Sequence, residues 1–589
     1  MNGPEAGVAD RDGSATPSGV PGTARAREEG PTDLRLVPPA LAVWAAAALA
    51  LGLPGRWVAA GTAVCAAVAL ALLAAASAAG SRRAAVPSGS GRAASSAGGS
   101  RAAPPAGRKR AVAAGAVLLC AAAGGATAGL HGADVRRGPV PGLAQEHARV
   151  DAEVRVTSDP RPTRPGVRGS HSTPPMLLLD ADITEVAAPD GHRTRVRTPV
   201  LLMVSPGDDR ARWQELLPST RLRVGGRLSP PAHEGERLAA VLRVDTEGQP
   251  RITGSPTAVQ RAAGELRSGL REATDGLDAD PRALLPGLVV GDTSRVPPEL
   301  HDAFKATDLT HLLAVSGANL SILLFLLIGP PGSALNSERR GLAPKLGISL
   351  RGTALIGGGL TLIFIVVCRP EPSVLRAAAC GLITLLAIGT GRRRSLIPAL
   401  AAAVVLLVLY DPWLARSYGF LLSVLATGAL LTLAPRWSAA LQRRGMPVRF
   451  AEVLAAAAAA QAVCAPVVLV LASRVSLVAI PCNLLAEFAV APATVFGFAA
   501  LAVAPVARRW PSCWPGSRAG RPGGSPRWPA PGRTFRGRRP RGPGGGPAPL
   551  SSRSSRSWPC CSPLGSSVVP GSALPPRCSW SWWCCGRSR

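Results

Sequence analysis

Apolar runs long enough to cross a bilayer recur along this chain, and they constrain its fold more than any other feature. In a helix, about 20 consecutive apolar residues match the hydrocarbon thickness of a membrane. Three such runs precede a polar insert at 134–308, and seven follow it. The chain is therefore predicted to be a polytopic α-helical membrane protein. The ten predicted spans are 37–52, 57–79, 111–130, 309–328, 352–368, 374–390, 395–410, 418–434, 453–472 and 476–505.

Basic residues in the loops predict how these helices are oriented. Loop 80–110 carries only basic charges, so the positive-inside rule places it in the cytoplasm. The basic loops 329–351, 391–394 and 435–452 then fall on the same side, and the polar insert falls outside. We expect a multi-pass membrane protein with a disordered cytoplasmic N-terminal tail at 1–36.

The polar insert shows the residue alternation of β-strands. The stretch "ARVDAEVRV" alternates, and "PMLLLDADITEV" and "HRTRVRTPVLLMV" flank the turn sequence "APDG". Two further runs, "TRLRVGGRL" and "AAVLRVDT", bring the total to about five strands. We predict a small OB-like β-barrel at 134–256, followed by a helical connector at 257–308.

The charge of the chain raises the question of a nucleic-acid partner. Its net charge is +30, but within 134–300 arginines and acidic residues are equally numerous. Barrels that hold single strands usually combine positive charge with stacking aromatic rings, and here Trp213 is the one aromatic besides histidine. A local basic face that includes Arg193, Arg195 and Arg197 remains one interpretation; a structural or gating domain is the other.

The last stretch, 508–589, differs in composition from the rest of the chain. It holds many arginines, prolines, tryptophans and cysteines but no Asp or Glu. One interpretation is a disordered basic tail; the other is out-of-frame translation of GC-rich codons, which the abundance of Trp and Cys favours. In that case its paired cysteines are not metal ligands. The remaining cysteines lie scattered in apolar segments, so we expect no metal and no cofactor.

One sequence signature resembles a known family. The stretch "LLPGLVVGDTSRVPPELHDAFKATDLTHLLAVSGANLSIL" resembles the signature of ComEC-type competence proteins, the DNA-internalisation channels of bacterial membranes. Further matches are "PSVLRAA", "DPW", "YGFLLSVLAT" and "CNLLAEFAVAP", in family order through the channel region at 309–507. The motif positions are Gly291, Asp292, Asp302, Ala303, Phe304, His311, Leu312, Ala314, Ser316 and Gly317.

Two departures from the family pattern stand out. Many members carry a second histidine where this chain has Asn319, and an amide hydrogen-bonds but does not titrate. Many members also end in a metallo-β-lactamase-like domain, whose histidine motif is absent here because no histidine follows His311. We therefore expect no enzymatic activity, and we expect function to be impaired.

The resemblance implies uptake of single-stranded DNA during natural competence. No phosphate-binding loop of the G-x-x-x-x-G-K-[ST] type is present to supply energy. The implied partners are an external DNA receptor, a cytoplasmic ATP-driven motor and a nuclease, besides the bilayer and a possible second copy of the chain. A membrane-embedded hydrolase using His311, Ser316 and Asp292, and a small-solute transporter, are the alternatives. No nucleophile-elbow motif and no internal repeat support them.

Polar residues of the channel region are candidates for a hydrated DNA path. Arginines would pair with phosphates, and amides or hydroxyls would replace lost water. The same residues also admit structural interpretations: small residues allow close helix packing, amides bond helices together, and arginines snorkel or pair with loop acids. The candidate path residues are His311, Ser316, Asn319, Arg369, Arg376, Asp411, Arg416, Ser423, Asn483 and Glu487.

Overall fold

The computed structural model describes most of the chain between residues 33 and 509. The predicted N-terminal tail before residue 33, most of loop 80–110 and the stretch from residue 510 onwards lie outside the described residues. The gaps within the described part are 85–105, 164–165, 169–170, 174, 189–190, 206, 234, 246–248, 308, 314, 330–340, 391–395 and 473–477.

Helices make up the N-terminal and C-terminal parts of the described chain. In chain order they are α1 Val37–Ala50, α2 Gly55–Ala84, α3 Ala106–Val135, α4 Val140–Gln145, α5 Arg210–Gln214, α6 Ala258–Ala273, α7 Ala279–Val290, α8 Pro298–Ala306, α9 Gly317–Ile328, α10 Leu342–Lys345, α11 Leu350–Cys368, α12 Pro372–Gly389, α13 Leu396–Tyr410, α14 Tyr418–Thr432, α15 Ala434–Arg443, α16 Val448–Ala472 and α17 Ala479–Arg509.

Seven helical stretches in the described part are long and apolar enough to span a bilayer. Three more apolar helices, α1, α9 and α13, are shorter than a full span. The membrane class predicted from the apolar runs is therefore confirmed. The seven stretches are Gly55–Ala78, Gly107–Val135, Leu350–Cys368, Pro372–Gly389, Tyr418–Arg443, Val448–Leu471 and Pro481–Ala504.

The predicted span 309–328 is only partly helical. A single 3₁₀ turn occupies Thr310–Leu312, and the α-helix begins at Gly317 after an extended residue, Ser316. The twelve residues of α9 reach about 18 Å, against a hydrocarbon core of about 30 Å. The polar residues at the start of this segment therefore lie at a helix break and not inside a continuous span.

The polar insert forms a closed five-stranded barrel. The barrel order is β1-β5-β6-β8-β7, and pairing of β1 with β7 closes the ring. All pairings in the ring are antiparallel except β6 with β8. The strands are β1 Arg149–Val156, β2 Arg161–Pro162, β3 Gly166–Arg168, β4 His171–Thr173, β5 Leu177–Ala187, β6 Arg193–Val204, β7 Arg221–Ser229, β8 Ala240–Val244 and β9 Arg251–Gly254.

The alternating sequence pattern determines which residues fill the barrel. In β7 the burial alternates residue by residue, with Leu222 and Leu228 fully buried and the arginines between them exposed. Trp213 on the short helix α5 is also fully buried, so it packs in the core. Trp213 is the one described aromatic ring of the barrel besides histidine. Because it is buried, the described barrel surface presents no Phe, Tyr or Trp ring on which a base could stack.

The N-terminal helices pack against the C-terminal ones. Helix α1 shares one buried apolar cluster with α13 and with the Pro412–Arg416 turn. At its centre the rings of Trp44 and Phe420 lie 5.1 Å apart, and the Trp44 indole N–H donates to the Ala415 carbonyl at 2.8 Å. The two apolar regions of the sequence therefore form one helical assembly.

Candidate polar path and barrel anchors

The break before α9 brings two candidate path residues together. The Ser316 hydroxyl donates to the Asn319 side-chain oxygen at 3.2 Å, and the Asn319 amide donates to the Leu288 carbonyl at 2.7 Å. Asn319 is almost fully buried. Its hydrogen bonds therefore tie the start of α9 to the end of α7.

Helix α12 contributes a guanidinium to the same region. The Arg376 Nε donates to the Ser423 hydroxyl at 2.7 Å, and Ser373 donates to the Val315 carbonyl at 3.0 Å. A Cβ built on Gly317 would lie 2.7 Å from an Arg376 nitrogen and 2.9 Å from the Ala377 Cβ. Glycine at 317 therefore permits the close approach of Arg376 to the start of α9.

Arg376 is a charged residue within the long apolar helix α12. Among the described residues it takes part in no ion pair, and its side chain is half-buried between α9, α12 and α14. A cation at such a depth is costly unless it meets water, an anion or hydrogen-bonding groups. Ser316, Gly317, Asn319, Arg376 and Ser423 form one group, which we call the helix-break cluster.

The Gly-Asp turn of the family motif lies outside the helix-break cluster, at the end of α7. Gly291 adopts a left-handed conformation with φ of 72°, and a Cβ there would lie 2.9 Å from a Val315 methyl. Both observations require glycine. The turn directs Asp292 towards the connector helix α6.

Asp292 is buried and receives several hydrogen bonds. Arg271 and the Ser294 hydroxyl donate to its carboxylate, the latter at 2.6 Å, and an Arg267 nitrogen lies 3.9 Å away. Burial alone would raise the pKa of this carboxyl, but the Arg267 charge and the hydrogen bonds from Ser294 and Arg271 outweigh it and hold the pKa below its usual range.

Arg369 anchors the barrel to the helices. Its guanidinium makes a two-pronged contact with Asp159, at 2.8 and 2.6 Å, and also donates to the Gln260 side chain. Buried Arg267 reaches the same Asp159 at 3.3 Å and donates to the Val367 carbonyl at 3.1 Å. The loop after β1, helix α6 and the α11–α12 loop are thereby joined in one arginine–carboxylate network, the first barrel anchor.

Glu371 lies beside this first anchor. It directly precedes α12, with its side chain half-buried. Burial raises the pKa of its carboxyl, and the nearby charges of Arg267 and Arg161 oppose the rise. Arg369 does pair with a loop acid, but that acid is Asp159 of the barrel and not the neighbouring Glu371.

A second barrel anchor is built on the α13–α14 turn. Asp411 accepts from Arg237 of the barrel at 2.8 Å, and the Trp413 indole donates to the Gly235 carbonyl at 3.2 Å. Arg416 donates to the Ala48 carbonyl of α1 at 2.8 Å. Asp411 and Arg416 thus hold the loop between β7 and β8 and the end of α1.

The remaining predicted site residues lie apart from these groups. His311 is exposed in its 3₁₀ turn, Asp302 is exposed on α8, and Phe304 on the same helix is half-buried. Asn483 is half-buried on α17. The Glu487 side chain and Ala314 lie outside the described residues, and two described cavities, of about 90 and 400 Å³, are lined by none of the path residues.

The predicted basic face on β6 is partly neutralised. Arg193 lies 3.6 Å from Glu185, and Arg197 lies 3.9 Å from Asp182. Arg195 is the register partner of Glu185 on β5. Asp182 and Glu185 lie on β5, and the antiparallel register of β5 with β6 places them beside these arginines.

Sequence reasoning missed the residues that hold the barrel in place. Arg267, Arg271, Asp159 and Gln260 read as polar surface positions of a helix and a loop. The amphipathic pattern of α6 carried one signal, because buried Arg267 falls on the same face as Ala263 and Leu270. Its distant partner Asp159 gave no such signal in the sequence.

The architecture defines a class: a polytopic helical membrane protein with a β-barrel seated on two of its loops. Residues 288–515 match the family model of the competence protein family. This match supports the resemblance to ComEC-type competence proteins. Neither the curated proteins nor the solved structures contain a match to the chain.

Proposed function

We propose that the protein is a channel that takes up single-stranded DNA across a bacterial cytoplasmic membrane. Arg376, which lies beside a broken helix and has no carboxylate partner among the described residues, carries this proposal. An extended residue at Ser316 and the N-terminal end of α9 put backbone N–H groups next to the guanidinium. Helix N-termini and arginines both favour anions, so this cluster suits a phosphate passing between the helices.

Several finer assignments belong to the same proposal. Ten helices cross the membrane, the N-terminus is cytoplasmic and the barrel is outside. The barrel is OB-like, supported by its five-strand ring in which only β6 and β8 run parallel. An external DNA receptor, a cytoplasmic ATP-driven motor and a nuclease act with the chain, which itself is not an enzyme.

The hydrolase alternative has less support. A serine nucleophile needs its hydroxyl hydrogen-bonded to a base, and the Ser316 hydroxyl donates to the Asn319 amide oxygen. Asp292 is bound by Ser294 and two arginines on the other side of the α7 end. Ser316 and Asp292 therefore have structural partners that differ from a catalytic set.

Replacing Arg376 tests the proposal. In a transformable host that lacks its own channel, Arg376→Gln should reduce transformants about tenfold to a hundredfold, because a charged hydrogen bond to phosphate is lost. The control is Arg351→Gln, an exposed arginine in the first turn of α11. Equal transformation by both variants, at matched protein levels, would count against a phosphate path at the helix break.

Cross-linking tests whether DNA occupies the path. A photo-cross-linker on Ser423→Cys should capture labelled single-stranded DNA during uptake. The same group on Leu430→Cys, an exposed position of the same helix, should not. Capture from Leu430 and none from Ser423 would place the DNA outside the helix-break cluster.

A further inference from the structure

Strand β7 carries arginines on the outer face of the barrel that no carboxylate neutralises. Arg221, Arg223 and Arg227 are exposed, and within the described residues none of them takes part in an ion pair or side-chain hydrogen bond. Alternate residues of a strand lie about 7 Å apart on one face. Gly225 occupies the one outward position between Arg223 and Arg227, and the Asp151 side chain lies over it.

The strand register places further arginines directly opposite this row. Arg227 faces Arg149 on β1 and Arg243 on β8. Arg221 faces Arg155 on β1, and Arg223 faces Arg251 on β9. Arg149 pairs with Asp245 at 3.1 Å and Arg155 with Asp182 at 3.2 Å, so barrel carboxylates neutralise these two. Like charges directly opposite one another destabilise a sheet, so the arginines left without a pair favour an anion that is not part of the barrel.

Three carboxylates, Asp151, Glu153 and Glu185, line one cavity together with Arg223 and reduce the local positive charge. Glu153 is the β1 partner of Arg223 and also accepts from the Thr253 hydroxyl at 3.2 Å. Asp151 lies over Gly225. Arg243 and Arg251, like the three arginines of β7, are without an ion pair among the described residues. We call Arg221, Arg223, Arg227, Arg243 and Arg251 the β7 stripe.

The β7 stripe runs between the two barrel anchors. At one end β7 leads through the loop after Ser229 to Arg237, which pairs with Asp411. At its other end Ser219 hydrogen-bonds Thr257, where α6 begins and leads to Arg267. The stripe therefore spans the stretch of barrel that bridges the α11–α12 and α13–α14 loops.

We infer that the β7 stripe binds the phosphate backbone of single-stranded nucleic acid. A row of regularly spaced, unpaired guanidinium groups about 20 Å long suits a linear polymer that carries one charge per unit. The buried Trp213 leaves this surface without an aromatic ring for stacking, so recognition would be of phosphates and independent of sequence. The inference rests on the proposed function, since it names a contact surface for the same substrate.

Arginine footprinting on the full chain tests the inference directly. The purified protein in uncharged detergent is treated with phenylglyoxal, with and without an oligothymidylate, and each modified arginine is read by mass spectrometry. We expect the oligonucleotide to protect the β7 stripe and to leave Arg193, Arg195 and Arg197 on β6 reactive. Equal protection of the two strands, or protection confined to arginines after residue 507, would overturn the inference.

Matched variants give a second readout. Arg221→Gln, Arg223→Gln and Arg227→Gln together remove the same charge as Arg193→Gln, Arg195→Gln and Arg197→Gln. Each phosphate contact contributes about 0.7 to the slope of log affinity against log salt for single strands, so the β7 variant should lower that slope by about 2. The β6 variant should keep the wild-type slope, and a slope change of the same size in both variants would contradict the inference.

The main competing occupant is an anionic membrane surface. Nanodiscs containing phosphatidylglycerol, without DNA, should leave the β7 stripe reactive to phenylglyoxal. Protection by these lipids alone would assign the stripe to the bilayer and overturn the inference. If the oligonucleotide does not protect the β7 stripe but Arg376→Gln still lowers transformation, the inference fails and the proposed channel stands. If the stripe is protected but Arg376→Gln does not lower transformation, the proposed channel fails and the barrel remains a DNA-binding surface.

Discussion

Single residues show how much of the polar chemistry of this chain is structural. Asp292 belongs to the family signature, and its carboxylate is held by two arginines and a serine hydroxyl at the junction of α6 and α7. Arg376, by contrast, has hydroxyl and backbone neighbours but no acidic partner among the described residues. The fold therefore accounts for the buried charge of Asp292, whereas no described acid neutralises the charge of Arg376.

Replacing Asp292 with asparagine should destabilise the protein in a pH-dependent way. Removing one partner of a buried ion pair costs about 3 kcal/mol, because Arg267 and Arg271 keep their charges. Since the pKa of Asp292 is lowered in the fold, its stabilisation is present above the usual value of about 3.9 and is lost as pH falls through the lowered value. Denaturant titration in micelles should show a gap between wild type and variant at pH 7 that shrinks at pH 3.

The control for this titration is Asp280→Asn, an exposed aspartate in the first turn of α7. Its effect should be small at both pH values. A pH-independent gap for Asp292→Asn would show that the carboxylate charge does not stabilise the junction.

At the scale of elements, the barrel is joined to the helices by two separate anchors. The first joins the loop after β1 to α6 and the α11–α12 loop, and the second joins the β7–β8 loop to the α13–α14 turn. Two fixed points limit how far a domain can swing about a single hinge. The barrel is therefore positioned by ion pairs as well as by its chain connections.

A double-mutant cycle on Asp159 and Arg369 should reveal the strength of the first anchor. The two-pronged, largely buried pair should give a coupling free energy of about 1–3 kcal/mol when Asp159→Asn and Arg369→Gln are combined. Denaturant titration of the four proteins measures it. The Glu185–Arg193 pair on the barrel surface, at 3.6 Å and largely exposed on the arginine side, should give about 0.5 kcal/mol or less. Equal coupling in the two cycles would argue against an anchor.

Elements with a regular residue pattern could be predicted from the sequence. The alternation in β1 and β7 and the apolar runs of α11 and α12 are local signals, because burial on one face repeats along the chain. The break at Ser316 is a weaker signal, because the apolar run continues through it. Arg376 could be identified from the sequence, because a charged residue within an apolar run is visible without knowledge of the fold. Asp159 could not be linked to Arg369, since 210 positions separate them and only the fold brings them together.

At the scale of the whole molecule, the N-terminal helices, the barrel and the competence-family region form one described assembly. The α13–α14 turn contacts both other parts: Asp411 pairs with Arg237 of the barrel, and Arg416 donates to the Ala48 carbonyl of α1. The barrel and the helix-break cluster are therefore parts of one assembly.

Cysteine labelling should establish the orientation of this assembly. In a background without native cysteines, Arg212→Cys on the barrel should react with a membrane-impermeant maleimide in intact cells. Arg443→Cys, at the end of α15, should react only after the cells are permeabilised. Both positions are exposed or half-exposed, so a difference reports sidedness. Reaction of Arg443→Cys in intact cells would reverse the proposed topology.

The hydrogen bond between Trp44 and Ala415 has a consequence for biosynthesis. The two residues are 371 positions apart, so the ribosome delivers the second roughly 20 to 75 s after the first, at about 5–20 residues per second. During that interval the Trp44 indole N–H and the Ala48 carbonyl lack the partners Ala415 and Arg416, which they have in the complete chain. Nascent chains that stall before residue 411 should therefore remain bound to membrane insertases or be degraded by membrane proteases.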